Sequence, residues 1–293
     1  METILLTGAT GFLGSNLLKK ILQNESYNII LLKRSFSDTL RINDFLNSPL
    51  VKSYNIDEVD VEAVFNENKV DTIIHCATNY GRDNSNSEEI FEANLYFPLK
   101  LLQQGILHGT KTFINTDTVI DKNVNQYSLS KKQFLEQLTA FSKDIKVINM
   151  ALEHFYGPFD NESKFTTFIF HKFMNNAESI DLTEGEQKRN FIYIDDVVDA
   201  FIKILDNINQ ISADYTCFEV SSEESISIRN FVELSKKLIN NKNTKLNFGA
   251  IPYRQNELMN SKTDISAIKK LGWNQKISLE DGIIKTVNEE RQK

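Results

Sequence analysis

The sequence has 293 residues, 41% hydrophobic and 25% charged, which suits one large α/β unit or a large and a small globular domain. A formal charge of −7 argues against a surface that coats nucleic acid, so an anionic ligand must be held by local cations or helix N-termini. No apolar run approaches the roughly 18–20 residues of a membrane span.

Strand-like and helix-like stretches alternate through the first half. The run "TILLT" (3–7) reads as a strand, followed by a turn and a helix over 12–23. This start lacks the basic segment and cleavage site of a signal peptide, and a cytoplasmic location is expected. Further strands are expected at "NIILL" (28–32), "VKSY" (51–54), "DTIIHCA" (71–77), "KTFIN" (111–115) and "IKVINMA" (145–151). Helices are expected within 57–68, over 88–108 and over 127–141. Alternation of this kind predicts a parallel, doubly wound sheet, and strands buried on both faces read as the continuous apolar runs seen here.

The rhythm changes after residue 150. Short strands at 179–183 and 190–194 precede the helix "DDVVDAFIKIL", a strand at 214–220 and a helix at 227–239 capped by Ser227. Two more helices are expected near the end, with Thr263 and Ser278 as caps and Gly272 as a stop. The expected fold is therefore an α/β Rossmann-type nucleotide-binding domain over 1–150, with a smaller, interleaved C-terminal part over 151–293. The two cysteines, Cys76 and Cys217, sit in apolar strands and are expected to be free buried thiols. The four histidines lack metal-ligand spacing, so no metal is expected.

Gly8, Gly11 and Gly14 lie between the first strand and helix. Such a turn needs glycine for a tight bend, for close approach of backbone to pyrophosphate, and for helix packing on the sheet. The second strand ends in Lys33 and Arg34, where an NAD site places an acid for the ribose 2′-hydroxyl. Cations there suit a 2′-phosphate, so NADP(H) is favoured over NAD(H).

Tyr127 and Lys131 are four apart at the start of a helix and share a face. A phenol is a poor acid or base near pH 7, and a neighbouring ammonium lowers its pKa. Tyrosine can then exchange a proton with a carbonyl or alcohol oxygen. Thr116 or Thr118, at the end of the preceding strand, is placed to hold that same oxygen. Alone, the tyrosine and lysine fit an ordinary amphipathic helix; they gain meaning behind a dinucleotide turn.

Together these motifs resemble the extended short-chain dehydrogenase/reductases (the NAD-dependent epimerase/dehydratase family), which act on nucleotide sugars. The segments "TGATGFLGS", "DTIIHCAT", "FEANLYFPLKLL", "NQYSLSKK", "EHFYGP", "KRNFIYIDDVVDA" and "YRQNE" carry the resemblance over nearly the whole chain. It implies cofactor contacts from Gly8, Thr10, Gly11, Phe12, Leu13 and Gly14 in the turn, and from Lys33, Arg34, Asn55 and Ile56 after the second and third strands. Cys76, Ala77, Thr78 and Asn94 complete that set with Tyr127 and Lys131. Nucleotide-sugar contacts are implied at Thr78, Thr118, His154, Arg189 and Arg254, with both arginines on the diphosphate and His154 where asparagine is usual.

Two local patterns leave the catalytic hydroxyl open between Thr116, which is preferred, and Thr118. Only eight residues separate Thr118 from Tyr127, a shorter connection than in many relatives. The position after "TD" is Thr118, where dehydratases of the family carry glutamate. The chain looks most like the 4-ketoreductases that make CDP-3,6-dideoxyhexoses such as abequose and paratose. The implied reaction is NADPH-dependent reduction of the C4 ketone of a CDP- or dTDP-linked 4-keto-6-deoxyhexose. The alternatives are a 4-epimerase, a dehydratase, and a non-catalytic NADP-binding protein. The resemblance also implies a homodimer paired through the helices at 88–108 and 127–141.

Overall fold

The computed structural model describes residues 1–82, 85–254 and 256–292. In chain order the first elements are β1 (Glu2–Thr7), α1 (Phe12–Leu22), β2 (Tyr27–Lys33), α2 (Asn43–Leu46), β3 (Val51–Asn55), α3 (Val61–Glu67) and β4 (Thr72–His75). Next come α4 (Ser87–Phe91), a π-helical turn (Glu92–Tyr96), α5 (Phe97–Leu107), β5 (Thr112–Thr118), α6 (Gln126–Ala140) and β6 (Lys146–Leu152). The remainder is β7 (His154–Tyr156), α7 (Phe165–Met174), β8 (Ser179–Leu182), β9 (Lys188–Arg189), β10 (Phe191–Tyr193), α8 (Ile194–Asn207) and β11 (Tyr215–Val220). It ends with β12 (Ile226–Ser227), α9 (Ile228–Leu238), β13 (Lys245–Phe248), α10 (Ser266–Lys270) and α11 (Leu279–Glu290).

The chain divides into two compact units, residues 1–151 with 201–218, and residues 152–200 with 219–293. The first is built on a seven-stranded sheet in the order β11-β6-β5-β4-β1-β2-β3. The pairs from β3 through β2, β1 and β4 to β5 are parallel. Strand order reverses between β1 and β4, and ligands of such sheets bind beyond the strand ends at that switch point. Leu5, Ile30, Ile73, Phe113 and Val147 form the sheet's contribution to one buried cluster, onto which Leu101, Leu102, Phe134 and Leu138 pack from α5 and α6. These are the apolar runs and amphipathic faces expected of a doubly wound α/β fold.

The second unit holds three two-stranded pairings, β7 with β10, β9 with β12, and β8 with β13. Its core is aromatic: Phe191 stacks on Phe231 at 4.1 Å, and Tyr156 meets both Phe170 and Tyr193 edge-on. Asp196 anchors the C-terminal segment. Its two carboxylate oxygens accept from the amides of Lys276 and Ile277, and its carbonyl accepts from the Trp273 indole at 2.9 Å. Among the described residues no helix is long and apolar enough to cross a membrane.

Several local expectations change. The long helix expected over 88–108 is interrupted by the π-helical turn that carries Asn94. Thr263 caps no helix: α10 starts at Ser266, Asp264 accepts from the Ser266 amide, and the Thr263 hydroxyl bonds to Ser221. Cys76 and Cys217 are free thiols, but Cys217 is exposed and Cys76 only partly covered. Ser227, Ser278 and Gly272 act as read, the serines accepting from Asn230 and Asp281 and the glycine adopting φ +81° just past α10.

Candidate active site

The glycine turn lies at the switch point. Gly8 has φ +71°, and a Cβ there would stand 2.5 Å from the Ala77 amide nitrogen and 2.6 Å from the Cys76 carbonyl carbon. Only glycine lets β1 and β4 end so close together. A Cβ on Gly14 would collide with the Gly8 carbonyl, so α1 starts hard against the turn. Gly11 is the N-cap of α1 and has no side-chain cap bond, while Phe12 and Leu13 are buried in the first helical turn. The turn thus presents backbone and helix N-terminus, which is what a pyrophosphate requires.

Lys33 and Arg34 part company at the end of β2. The Lys33 ammonium donates to Asn55 Oδ1 at 2.5 Å, and Asn55 donates in turn to Glu58. Arg34 is exposed and stands over the Phe36 ring at 5.0 Å. A third cation, Arg41, donates to the Thr10 carbonyl of the glycine turn at 3.4 Å. Arg41 escaped the sequence reading because it lies in an irregular segment beyond any motif. A cavity of about 360 Å³ opens beside Ile56 and is lined by Asp57, Glu58, Asp60, Glu92 and Lys100.

Asn94 is held by a full set of internal hydrogen bonds. Its Oδ1 accepts from Thr78 Oγ1 and the Asn79 amide, and its Nδ2 donates to the Asn79 carbonyl and Ser130 Oγ. All four hydrogen-bonding capacities of this buried amide are used inside the protein, which fixes the loop after β4. The π-helical turn aims it inward, a common use of such turns near functional sites.

Strand β5 runs on to Thr118, three residues past the expected end, so the "TDT" segment is strand and not turn. Thr116 and Thr118 point the same way, as alternate residues must. Thr116 donates its hydroxyl to the His75 carbonyl at 2.8 Å. Thr118 accepts from the Ile120 amide at 3.2 Å, and it is one of the groups that bear on the Tyr127 phenol. The Thr116 hydroxyl is thus engaged with β4, while Thr118 is the threonine that bears on the Tyr127 phenol.

Tyr127 lies in the first turn of α6, which Asn125 and Ser128 open with a reciprocal capping box. Its ring packs against Tyr80 at 5.0 Å, and Arg82 stands over Tyr80 at 5.6 Å. Neither Tyr80 nor Arg82 belongs to a motif that sequence reasoning would single out. Burial pushes the phenol well above its ordinary pKa; Tyr80 and Asp117 add to the rise, while Thr118 and Arg82 oppose it. Tyr127 is held as the acid.

Lys131 is 1% exposed, and its Nζ has no hydrogen-bond partner. Burial lowers its pKa to about 8, with Lys132 adding to the fall and Asp117 and Cys76 opposing it. An orphaned ammonium beside a glycine turn fits the ribose diol of a dinucleotide. Below Lys131, His75 is fully buried, joined to Thr7 Oγ1 at 2.8 Å, and kept neutral by burial and by the Lys131 charge. Burial raises the Cys76 thiol to about 12, so it is no nucleophile.

In the second unit, His154 Nδ1 lies 3.4 Å from Oε1 of the buried Glu153. Arg189, expected to touch a diphosphate, donates to the Leu258 carbonyl and to Glu257, both at 2.5 Å. Arg254 is exposed. Among the described residues, no group of three or more His, Cys, Asp or Glu is placed to hold a metal ion.

The model of the "NAD dependent epimerase/dehydratase family" matches residues 4–217. The chain belongs to that family. It is 35% identical over 296 residues to a CDP-abequose synthase of Salmonella muenchen, covering 98% of this chain and 97% of the relative. It is 24% identical over 314 residues to a putative UDP-glucose 4-epimerase of Methanocaldococcus jannaschii, covering 97% of each. Among solved structures, the UDP-glucuronic acid 4-epimerase of Bacillus cereus in complex with UDP-glucuronic acid and NAD superposes with a TM-score of 0.86 at 20% identity over 99% of both chains. The UDP-glucose 4-epimerase of Thermotoga maritima gives 0.83 at 23% over 99% of both. At these identities the two structures speak for the Rossmann-type fold alone. In this family member the glycine turn follows β1, and Tyr127 and Lys131 stand on α6.

Proposed function

We propose that this protein reduces the C4 ketone of a nucleotide-linked 4-keto-6-deoxyhexose with NADPH. The observation that carries the reading is the buried, unpartnered Lys131 ammonium, one helical turn from Tyr127 on α6. The identity with a CDP-abequose synthase supports the substrate class.

The nicotinamide would supply a hydride to the sugar C4. Tyr127, kept protonated by its surroundings, donates the proton to the C4 oxygen. Thr118 holds that oxygen and the phenol in one line. Lys131 binds the nicotinamide ribose, and its charge stabilises the phenolate left after proton transfer. The turn from Gly8 to Gly14 receives the pyrophosphate, with Thr10 at its tip, and Ile56, Cys76, Ala77 and Thr78 line the remaining cofactor contacts. Arg34 and Arg41 take the 2′-phosphate, and Lys33, held by Asn55, adds charge behind them. We assign cofactor binding to the first unit and nucleotide-sugar binding chiefly to the second, through His154 and Arg254. A homodimer through α5 and α6 accords with the exposure of Tyr96 and Leu107 on that helical segment.

Two features weigh against a dehydratase. Thr118 stands where those enzymes use glutamate, and Asp117 already accepts from Lys132 at 2.9 Å and from Asn149 at 3.1 Å inside the protein. A 4-epimerase is the second reading, favoured by the Methanocaldococcus relative. It would retain its cofactor and consume none. The test is incubation of wild type and Tyr127→Phe with NADPH and CDP- or dTDP-4-keto-6-deoxyhexoses, with and without the 3-hydroxyl, and product identification by NMR. Reduction by wild type and its loss in Tyr127→Phe is expected; survival within a few-fold refutes the assignment of the acid.

A further inference from the structure

Asp117 faces away from Thr116 and Thr118, into the protein, and its side chain is wholly buried. Its Oδ1 accepts from the Thr118 amide at 2.7 Å. Its Oδ2 accepts from Lys132 Nζ at 2.9 Å and Asn149 Nδ2 at 3.1 Å, and Asn149 is held by Asn115 at 2.8 Å. Lys132 also donates to the Thr118 carbonyl at 2.7 Å. Both backbone polar groups of Thr118 are therefore gripped by one ion pair. Lys132 belongs to the helix that carries Tyr127 and Lys131, so the pair stitches the end of β5 to the first turns of α6.

We propose that Lys132 and Asp117 are positioning residues that fix the Thr118 end of β5 against the first turns of α6, where Tyr127 stands, and so set the geometry for proton transfer. The inference rests on the assignment of Tyr127 as the acid. The connection between β5 and α6 has only seven residues, and besides the capping box and the Ile120 amide bond it has hydrogen bonds that close on Asp121, within the connection itself. A misplacement of about 1 Å at a reacting pair costs on the order of 100-fold in rate.

The pair also carries charge to the site. The groups that act on Tyr127 and Lys131 are Tyr80 and Arg82 from the loop after β4, Cys76 from the end of β4, Asp117 and Thr118 from β5, and Lys132 from α6. Asp117 raises the proton affinity of both residues, and Lys132 lowers that of Lys131.

The test compares Lys132→Met, Lys132→Arg and Asp117→Asn in the ketone-reduction assay, with NADPH affinity by fluorescence and thermal melting as checks of folding. Lys132 is a quarter exposed, so its variants should fold even where Asp117→Asn does not. Lys132→Met should lose about 10–100-fold in kcat with NADPH affinity little changed, and Lys132→Arg should recover most of it. The alkaline limb of the kcat profile should move to higher pH in Lys132→Met and to lower pH in Asp117→Asn. A purely structural pair would lower melting temperature without these opposite shifts. If Tyr127→Phe is inactive while Lys132→Met keeps kcat within two-fold and an unmoved profile, the positioning role is refuted and the acid assignment stands. If Tyr127→Phe stays active, the assignment beneath it fails.

Discussion

Lys131→Met should make the cofactor-free protein more stable while destroying its activity. Lys131 is 1% exposed, its ammonium has no hydrogen-bond partner, and burial brings its pKa from 10.5 to about 8. At 1.36 kcal/mol per pKa unit, keeping this group protonated in the folded state costs roughly 3 kcal/mol below pH 8. Methionine keeps the packing of the stem and removes the charge. The folded pKa is lowered, so between about 8 and 10.5 the unfolded chain binds more protons and wild-type stability rises with pH. The advantage of Lys131→Met should therefore be full at pH 7, shrink through that window and vanish above it. Urea unfolding at pH 7.0 and 9.5 measures it, and at pH 7 the melting temperature should rise by about 5 °C or more. Saturating NADPH should reverse the order, because only wild type gains the ribose contact. A variant less stable than wild type at pH 7, or a difference unchanged by pH, refutes the picture of an uncompensated ammonium waiting for a ligand.

Two further substitutions separate neighbouring roles. Thr118→Val should lower kcat by about 100-fold, whereas Thr116→Val should keep most activity and lose about 1–3 kcal/mol of stability through its bond to the His75 carbonyl. Steady-state kinetics with denaturant titration checks both, and a greater kcat loss in Thr116→Val would return the catalytic hydroxyl to that residue. Arg41→Ala should raise KM for NADPH by about 10-fold or more and leave KM for NADH nearly unchanged. Equal effects on the two cofactors would remove Arg41 from the 2′-phosphate site.

The cofactor half of the site was legible because its chemistry is local. The spacing of Gly8, Gly11 and Gly14 after an apolar run, and of Tyr127 and Lys131 on a helix, states the geometry directly. Thr116 and Thr118 could not be told apart in this way. They are two residues apart on one strand and share a face, so only the partners across the sheet and on α6 distinguish them. Lys132 and Asp117 read as ordinary charges because the burial of Asp117 depends on a strand three residues longer than its apolar core. The π-helical turn at Asn94 is a tertiary effect, set by four hydrogen bonds to residues that sequence order keeps apart. Helix α7 went unread because "FTTFIFHKFM" is rich in aromatic and β-branched residues of weak helix propensity, and packing of Phe170 and Phe173 decides its form.

Transfer of label from cofactor to sugar tests the central claim most directly. With 4-deuterated NADPH and a nucleotide-linked 4-keto-6-deoxyhexose, deuterium should appear at C4 of the sugar, one for each NADP released, and Tyr127→Phe should abolish the transfer. Interconversion of C4 epimers with no net cofactor consumption and no label at C4, or no turnover with any such ketone, would contradict the account.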